Sequence, residues 1–164
     1  MIDKITSLLK SKFADSLLNI AGEDKEIALL VKKEKAHQIL SELKDADFNH
    51  LSDVSAVDYI DEQEFELVYH LWSHREKTRA IVKVRIPRKA ATVKSVVDLW
   101  TGAQIHERED HELFGINFEG NPDLSPLFLE DWDEIPPFRK DFDTRKYVKE
   151  KYYSEEEDYP IAKG

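Results

Sequence analysis

Residues 51–87 read LSDVSAVDYI-DEQE-FELVYHLW-SHREKT-RAIVKVRIP, and this stretch decides the fold. Residues 51–60 and 65–72 are rich in β-branched and aromatic side chains, and 61–64 between them is a polar break of hairpin length. From 79 to 86, Ala80, Val82, Val84 and Ile86 alternate with Arg79, Ile81, Lys83 and Arg85, the period-two pattern of a strand with one buried face. A turn is expected near 74–78, and Pro87, which has no amide hydrogen, closes the run. Three strands joined by short turns predict a meander.

Upstream, Ile2, Ile5, Leu9, Phe13, Leu17 and Ile20 recur every three or four residues. That spacing predicts one amphipathic helix over 2–20, with Gly22 as its stop. Residues 27–31 (IALLV) read as a short buried strand. Ala36, Ile39, Leu40 and Leu43 stand at i, i+3, i+4 and i+7, predicting a second helix over 33–44. Helices and strands are segregated along the sequence, so the expected class is α+β: a small mixed or antiparallel sheet with helices on one face.

The 164 residues suit a single domain with a real core. With 41% apolar and 35% charged residues the protein reads as soluble and globular. Its longest apolar run, 27–31, is far short of the roughly 20 residues a membrane-crossing helix needs. The N-terminal residues show no signal-peptide apolar block, so a cytoplasmic location is expected. Cysteine is absent, which excludes disulfides, a thiolate nucleophile and thiolate ligands for zinc or iron–sulfur clusters. The net charge of −10 argues against nucleic-acid binding as the main task.

Charge is unevenly distributed. Arg75, Lys77, Arg79, Lys83, Arg85, Arg88 and Lys89 face only Glu76 within 75–89, a local charge of +6. Residues 107–141 carry −8. The basic strand is expected to be a solvated face; the alternatives are a phosphate- or nucleic-acid-binding face, or one that meets an acidic partner or the protein's own acidic segment.

After Leu113 the character changes, with five of the six prolines and ten of the seventeen aromatics falling between 114 and 160. Dense proline excludes long helices and central strands, while disordered tails are poor in aromatics. The expectation is a core domain over 1–116 and an extended, irregular arm over 117–164 that lies along a partner. Trp132, Phe138 and Phe142 would anchor it, and Arg139 and Lys140 would pair with the partner's carboxylates or carbonyls. The competing expectation is that the arm folds back over its own sheet.

The stretch 106–112 (HEREDHE) invites a metal reading, in which His106, Glu107 and His111 serve a free-standing metal-assisted hydrolase. Metalloprotease helices place their histidines four residues apart. Here they are five apart, about 140° from facing each other on a helix, so a charged helix with internal salt bridges is the plainer expectation. The G-x-S-x-G elbow, the G-x-G-x-x-G loop and the Walker loop are all absent, leaving neither an activated serine nor a nucleotide cradle.

Residues 107–124, EREDHELFGINFEGNPDL, resemble the E-R-E-x-x-D-L-F-G-I-x-F-x-G-H-P-D-L pattern of a family in respiratory complex I, that of the small hydrophilic subunit of its peripheral arm. The likeness continues through 127–129, Asp131-Trp132, Pro136 and Arg139-Lys140-Asp141-Phe142, and upstream through 56–59, 68–71 and 83–87. Glu112 stands where the family usually has Asp, Asn121 for His, Ser125-Pro126 for a pair of arginines, Phe138 for Leu and Asp143 for Pro. These departures suggest a branch such as the related subunits of membrane-bound hydrogenases and deazaflavin-dependent dehydrogenases.

The resemblance implies a subunit of an ion-pumping oxidoreductase that resembles either NADH:quinone oxidoreductase or a membrane-bound hydrogenase. It would have no cofactor, metal or active site of its own and would not enter the membrane. It would pack on the large catalytic-type subunit, which lines a quinone site or holds nickel–iron, and on other peripheral-arm subunits at the cytoplasmic side of the membrane. Glu107, Arg108 and Glu109 would form ion pairs fixing the helix to the sheet, and Phe114 and Gly115 would turn the backbone into the arm. Gly120, Pro122, Asp123, Trp132, Phe138, Arg139, Lys140, Asp141 and Phe142 complete the implied structural and interface set.

Overall fold

The strands read from 51–87 form one half of a five-stranded sheet in the computed structural model, which describes residues 2–153. The chain runs α1 (Ile2–Phe13), β1 (Leu17–Glu23), β2 (Glu26–Val31), α2 (Lys33–Asp45), β3 (His50–Tyr59), β4 (Glu64–Ser73) and β5 (Thr78–Pro87). It continues through β6 (Thr92–Lys94), α3 (Ala103–Phe114), β7 (Asn117–Glu119) and α4 (Thr144–Tyr152). The sheet order is β1-β2-β5-β4-β3. Every pairing in it is antiparallel except β2 with β5, so the sheet is mixed and the class is α+β. β6 and β7 form a separate two-stranded parallel pair.

The alternation does what the sequence requires. Ala80, Val82, Val84 and Ile86 of β5 are buried beside Phe65, Leu67, Tyr69 and Leu71 of β4 and Ile27, Leu29 and Val31 of β2. Ile5 and Leu9 of α1, the 36/39/40/43 stripe of α2, and Leu113 and Phe114 of α3 complete the same core. On the opposite face the cations of β5 pair within the sheet. Arg79 bonds Glu26, Lys83 lies 3.3 Å from Glu66, and Arg85 reaches Glu66 at 3.1 Å and Glu64 at 3.3 Å.

Two expectations are corrected. The first helix stops at Phe13, and Leu17 and Ile20 belong to β1. A three-residue spacing fits a helix, but Asp24-Lys25 makes a two-residue turn with Asp24 at φ 40°, folding 17–23 back onto β2. A helix there would have left one edge of the apolar β2 without backbone partners. Gly22 is therefore not a helix stop; it lets α1 approach the strand, since a Cβ on it would stand 3.1 Å from Ile2 Cγ2. Second, the region after 117 holds regular structure, β7 and α4. Asp143, where the family usually has proline, caps α4 by accepting from the Lys146 amide at 3.0 Å. Residues 154–164, which include the acidic sequence Glu155-Glu156-Glu157-Asp158 and the end of the expected arm, lie outside the described residues.

Candidate functional site: the motif helix and the arm it holds

α3 buries one stripe: Ala103, Glu107, Asp110 and Phe114, spaced four, three and four apart. Two of these four are acids. Glu107 is fully buried. It accepts from Ser95 Oγ at 2.6 Å, the Val96 amide at 2.7 Å and Asn121 Nδ2 at 2.9 Å. It therefore joins the loop after β6, the helix and the loop after β7 at one point. Burial pushes its carboxyl up from the usual range, and those three donors pull it back. The expected Glu107 ion pair is not what forms; neutral donors take the carboxylate. Asn121, which replaces the family's usual histidine, is one of them.

Asp110 has a different environment. It is 4% exposed and accepts from the Ala56 amide of β3, while its Oδ2 has no hydrogen-bond partner among the described residues. Burial first, then the charges of Glu109, Asp53 and Glu107, push its carboxyl up to about 8. The Tyr69 hydroxyl is also buried without a partner among the described residues, and burial, Glu107 and Asp110 raise its pKa. Sequence reading passed over Asp110. The signal was available, since residues 103, 107, 110 and 114 share one helical face.

The other motif residues hold backbone. Arg108 donates through Nε to the Ser125 carbonyl at 2.5 Å and through Nη2 to the Pro126 carbonyl at 2.6 Å, and its Nη1 lies 3.3 Å from Asp123 Oδ2. Ser125-Pro126 thus meet this arginine through their carbonyls. Glu112 accepts from three consecutive amides, those of Leu127, Phe128 and Leu129, at 2.8–3.1 Å. Glu109 has no ion pair among the described residues. Gly115, at φ 77°, ends the helix by donating to the His111 carbonyl at 2.9 Å, and a Cβ there would meet Pro136 Cγ at 3.1 Å. Gly120 is also left-handed, at φ 97°. Pro122 is exposed and leads into a turn in which Asp123 accepts from the Ser125 amide and hydroxyl.

The backbone then returns to the core. The Phe138 amide donates to the Leu113 carbonyl at 3.0 Å, and the Lys140 amide to Asp58 Oδ2 at 2.8 Å. Arg88 Nη2, from the basic run, bridges Asp58 Oδ2 and Asp141 Oδ1 at 2.9 Å each, and Arg139 pairs with Asp141 and lies over the Phe65 ring. Trp132, Phe142 and Tyr147 stack on one another at 5.0–5.6 Å between centroids. Phe138 packs one edge on Phe114 at 5.8 Å, yet it is 60% exposed, Phe128 is 62% exposed and Ile135 42%. All three are carried on backbone held near the C-terminal end of α3.

The metal reading loses its geometry. His106 turns to Asp53 at 3.3 Å, His111 to the Ile116 carbonyl at 2.8 Å, and Glu107 into the core. Among the described residues no three His, Asp or Glu side chains are placed to share a metal, and no helix is long and apolar enough to cross a membrane.

Residues 29–148 match the family described as respiratory-chain NADH dehydrogenase, 30 Kd subunit. The protein is 36% identical to the C subunit of the F(420)H(2) dehydrogenase of Methanosarcina mazei over 146 residues, 85% of this chain and 90% of the relative. It is also 36% identical to the C subunit of the NADH-quinone oxidoreductase of Citrifermentans bemidjiense, covering 88% and 91%. One polypeptide in the structure of the membrane-bound sulfane sulfur reductase, an archaeal respiratory membrane complex, superposes with TM-score 0.83. That pair is 32% identical, with 99% of this chain and 98% of the other covered. A trypsin-resistant fragment of Nqo5 superposes with TM-score 0.64 at 28% identity, covering 75% and 98%.

Proposed function

This chain belongs to the family of the 30 Kd subunit of respiratory-chain NADH dehydrogenase, and from that premise we propose that it is a non-catalytic subunit that organises its neighbours. It is a subunit of a complex-I-like membrane oxidoreductase. Its relatives sit in complexes named for three different reactions: oxidation of F(420)H(2), NADH–quinone chemistry, and sulfane sulfur reduction. That observation carries the reading. A module kept at 32–36% identity across different electron donors and acceptors supplies something common to all of them, and packing is the common requirement.

The partner is the large catalytic-type subunit, met at the cytoplasmic side of the membrane by the surface of Phe128, Ile135 and Phe138. Protein interfaces gain most from a few buried aromatic anchors, and the carboxylate of Glu112 fixes the backbone that carries Phe128. Affinity purification of the tagged protein from its own membranes tests this. The large subunit and the oxidoreductase activity co-purify, and the double variant Phe128→Asp, Phe138→Asp lowers recovery of the complex about tenfold or more with turnover per assembled complex unchanged. Normal recovery with lost turnover would overturn it.

A further inference from the structure

The two edges of the five-stranded sheet are treated differently. The β3 edge has neighbours: Asp110 of α3 takes the Ala56 amide, and His106 and the Lys140 amide meet the side chains of Asp53 and Asp58. At the other edge nothing among the described residues pairs with the outer side of β1. The two-residue turn makes Glu23 and Glu26 a hydrogen-bonded pair, so Ala21 and Asn19 also bond to β2. The N–H and C=O groups of Ile20 and Gly22 therefore point outward. Proteins normally blunt such an edge with lysine, proline or a bulge. Leu17–Glu23 has neither lysine nor proline. Its one irregularity, at Leu18, precedes residues 19–23, which pair with β2 in unbroken register.

Beside this edge, on the sheet face away from the helices, lies a shallow hollow of about 780 Å³ floored by Ala21, Ala28 and Trp72 and bounded by Glu23, Asp24, Lys25, Glu26 and Arg79, three acids against two bases. Glu26 is neutralised by Arg79, whereas Glu23 has no ion pair among the described residues. Ala21 and Glu23 point to the same face, two residues apart. We propose that residues 19–23 receive an extended strand from a neighbouring subunit of the complex, with a large apolar side chain over Ala21 and a basic side chain beside Glu23. Main-chain hydrogen bonds hold such a strand, and the hollow selects its side chains. A second copy of this protein fits poorly, because its own β1 would offer only Ala21 to the hollow. A five-residue ladder also buries far less than the roughly 1,000 Å² that a stable interface needs. A segment anchored elsewhere in the same assembly gains instead from high effective concentration.

The inference rests on the subunit reading, and hydrogen exchange on the purified complex and on the isolated full chain separates the two. The Ile20 and Gly22 amides slow by about 100-fold or more in the complex and exchange freely in the isolated chain. Ala21→Glu, which touches no core residue, leaves the melting temperature of the isolated chain unchanged. It removes that protection and removes the carbodiimide cross-link expected between Glu23 and a lysine of another subunit. An intact complex whose Ile20 and Gly22 amides stay fast overturns the strand proposal alone. Protection already present in the isolated chain overturns it too, by identifying this chain as its own occupant. Failure of any other subunit to co-purify overturns both readings.

Discussion

The sheet and the arm are held together by different devices. In the sheet, each strand is fixed by a repeating backbone ladder and a continuous apolar face, so no single side chain carries the pairing. Among the described residues, the region after α3 has only a three-residue strand and a distant short helix. Between these, residues 121–142 are positioned chiefly by individual side chains: Arg108 and Glu112 of α3 and Asp58 of the meander hold backbone groups, and Glu107 and Arg88 hold the side chains of Asn121 and Asp141. A ladder spreads its stability over many residues. A few-point attachment concentrates it, so single substitutions act more strongly on the arm than on a comparably exposed strand.

The largest effect is expected at the buried pair. Arg88 and Asp58 are almost fully buried, and removing one partner leaves the other charged and unsolvated. Arg88→Ala should destabilise the isolated chain by about 3–5 kcal/mol, read by urea unfolding, and free the 138–141 segment to exchange. A loss below about 1 kcal/mol would mean that the arm's return to the core adds little and that the contrast with the sheet is false. Glu107→Ala comes next. It strands the Ser95 hydroxyl and the Val96 amide inside the protein, each orphan costing about 1–3 kcal/mol, so about 2–4 kcal/mol is expected. Glu107→Gln, which keeps an acceptor for the Val96 amide, should lose roughly half of that.

Glu112→Ala sharpens the comparison from the partly exposed side. It frees three amides that water can reach, so stability should fall by only about 1 kcal/mol. Exchange at 127–129 should nevertheless rise while the sheet amides stay slow. Amides at 127–129 that stay as slow as those of the sheet in this variant would show that the arm has a second fastening.

What is legible in the sequence follows the same division. The alternation of 79–86, the 36/39/40/43 stripe and the polar break at 61–64 are local periodicities, and each corresponds to the element found. Leu17 and Ile20 continue the three- and four-residue spacing of a helix face and so read as helix, whereas the turn at 24–25 makes them strand. The arm's attachments join residues 14 to 82 apart in the chain through one side chain and one backbone or side-chain group, and no periodicity encodes such a contact. The motif resemblance implies ion pairs for Glu107, Arg108 and Glu109; Arg108 meets Asp123 and two backbone carbonyls, Glu107 takes neutral donors instead, and Glu109 has no ion pair among the described residues. Asp110 escaped because a charged-looking helix hides the acid that faces inward.

That acid gives the smallest effect at neutral pH and the clearest dependence on pH. Asp110 has its folded pKa raised to about 8, chiefly by burial, against about 3.9 in an unfolded chain. Between those values the folded state holds a proton that the unfolded state has released, so stability falls as pH rises through the window and levels off above about 8. At pH 7 the folded carboxyl is largely protonated, and Asp110→Asn replaces one neutral, similarly shaped group with another. It should change neutral-pH behaviour far less than Arg88→Ala while flattening stability between pH 5 and 9, both read by urea unfolding, and about 3–5 kcal/mol of the wild-type decline should disappear. The variant becomes the more stable protein at the alkaline end. A wild-type profile already flat over this range would place the ionised carboxylate in the folded protein, and then Asp110 must have a partner that the Ala56 amide alone does not provide.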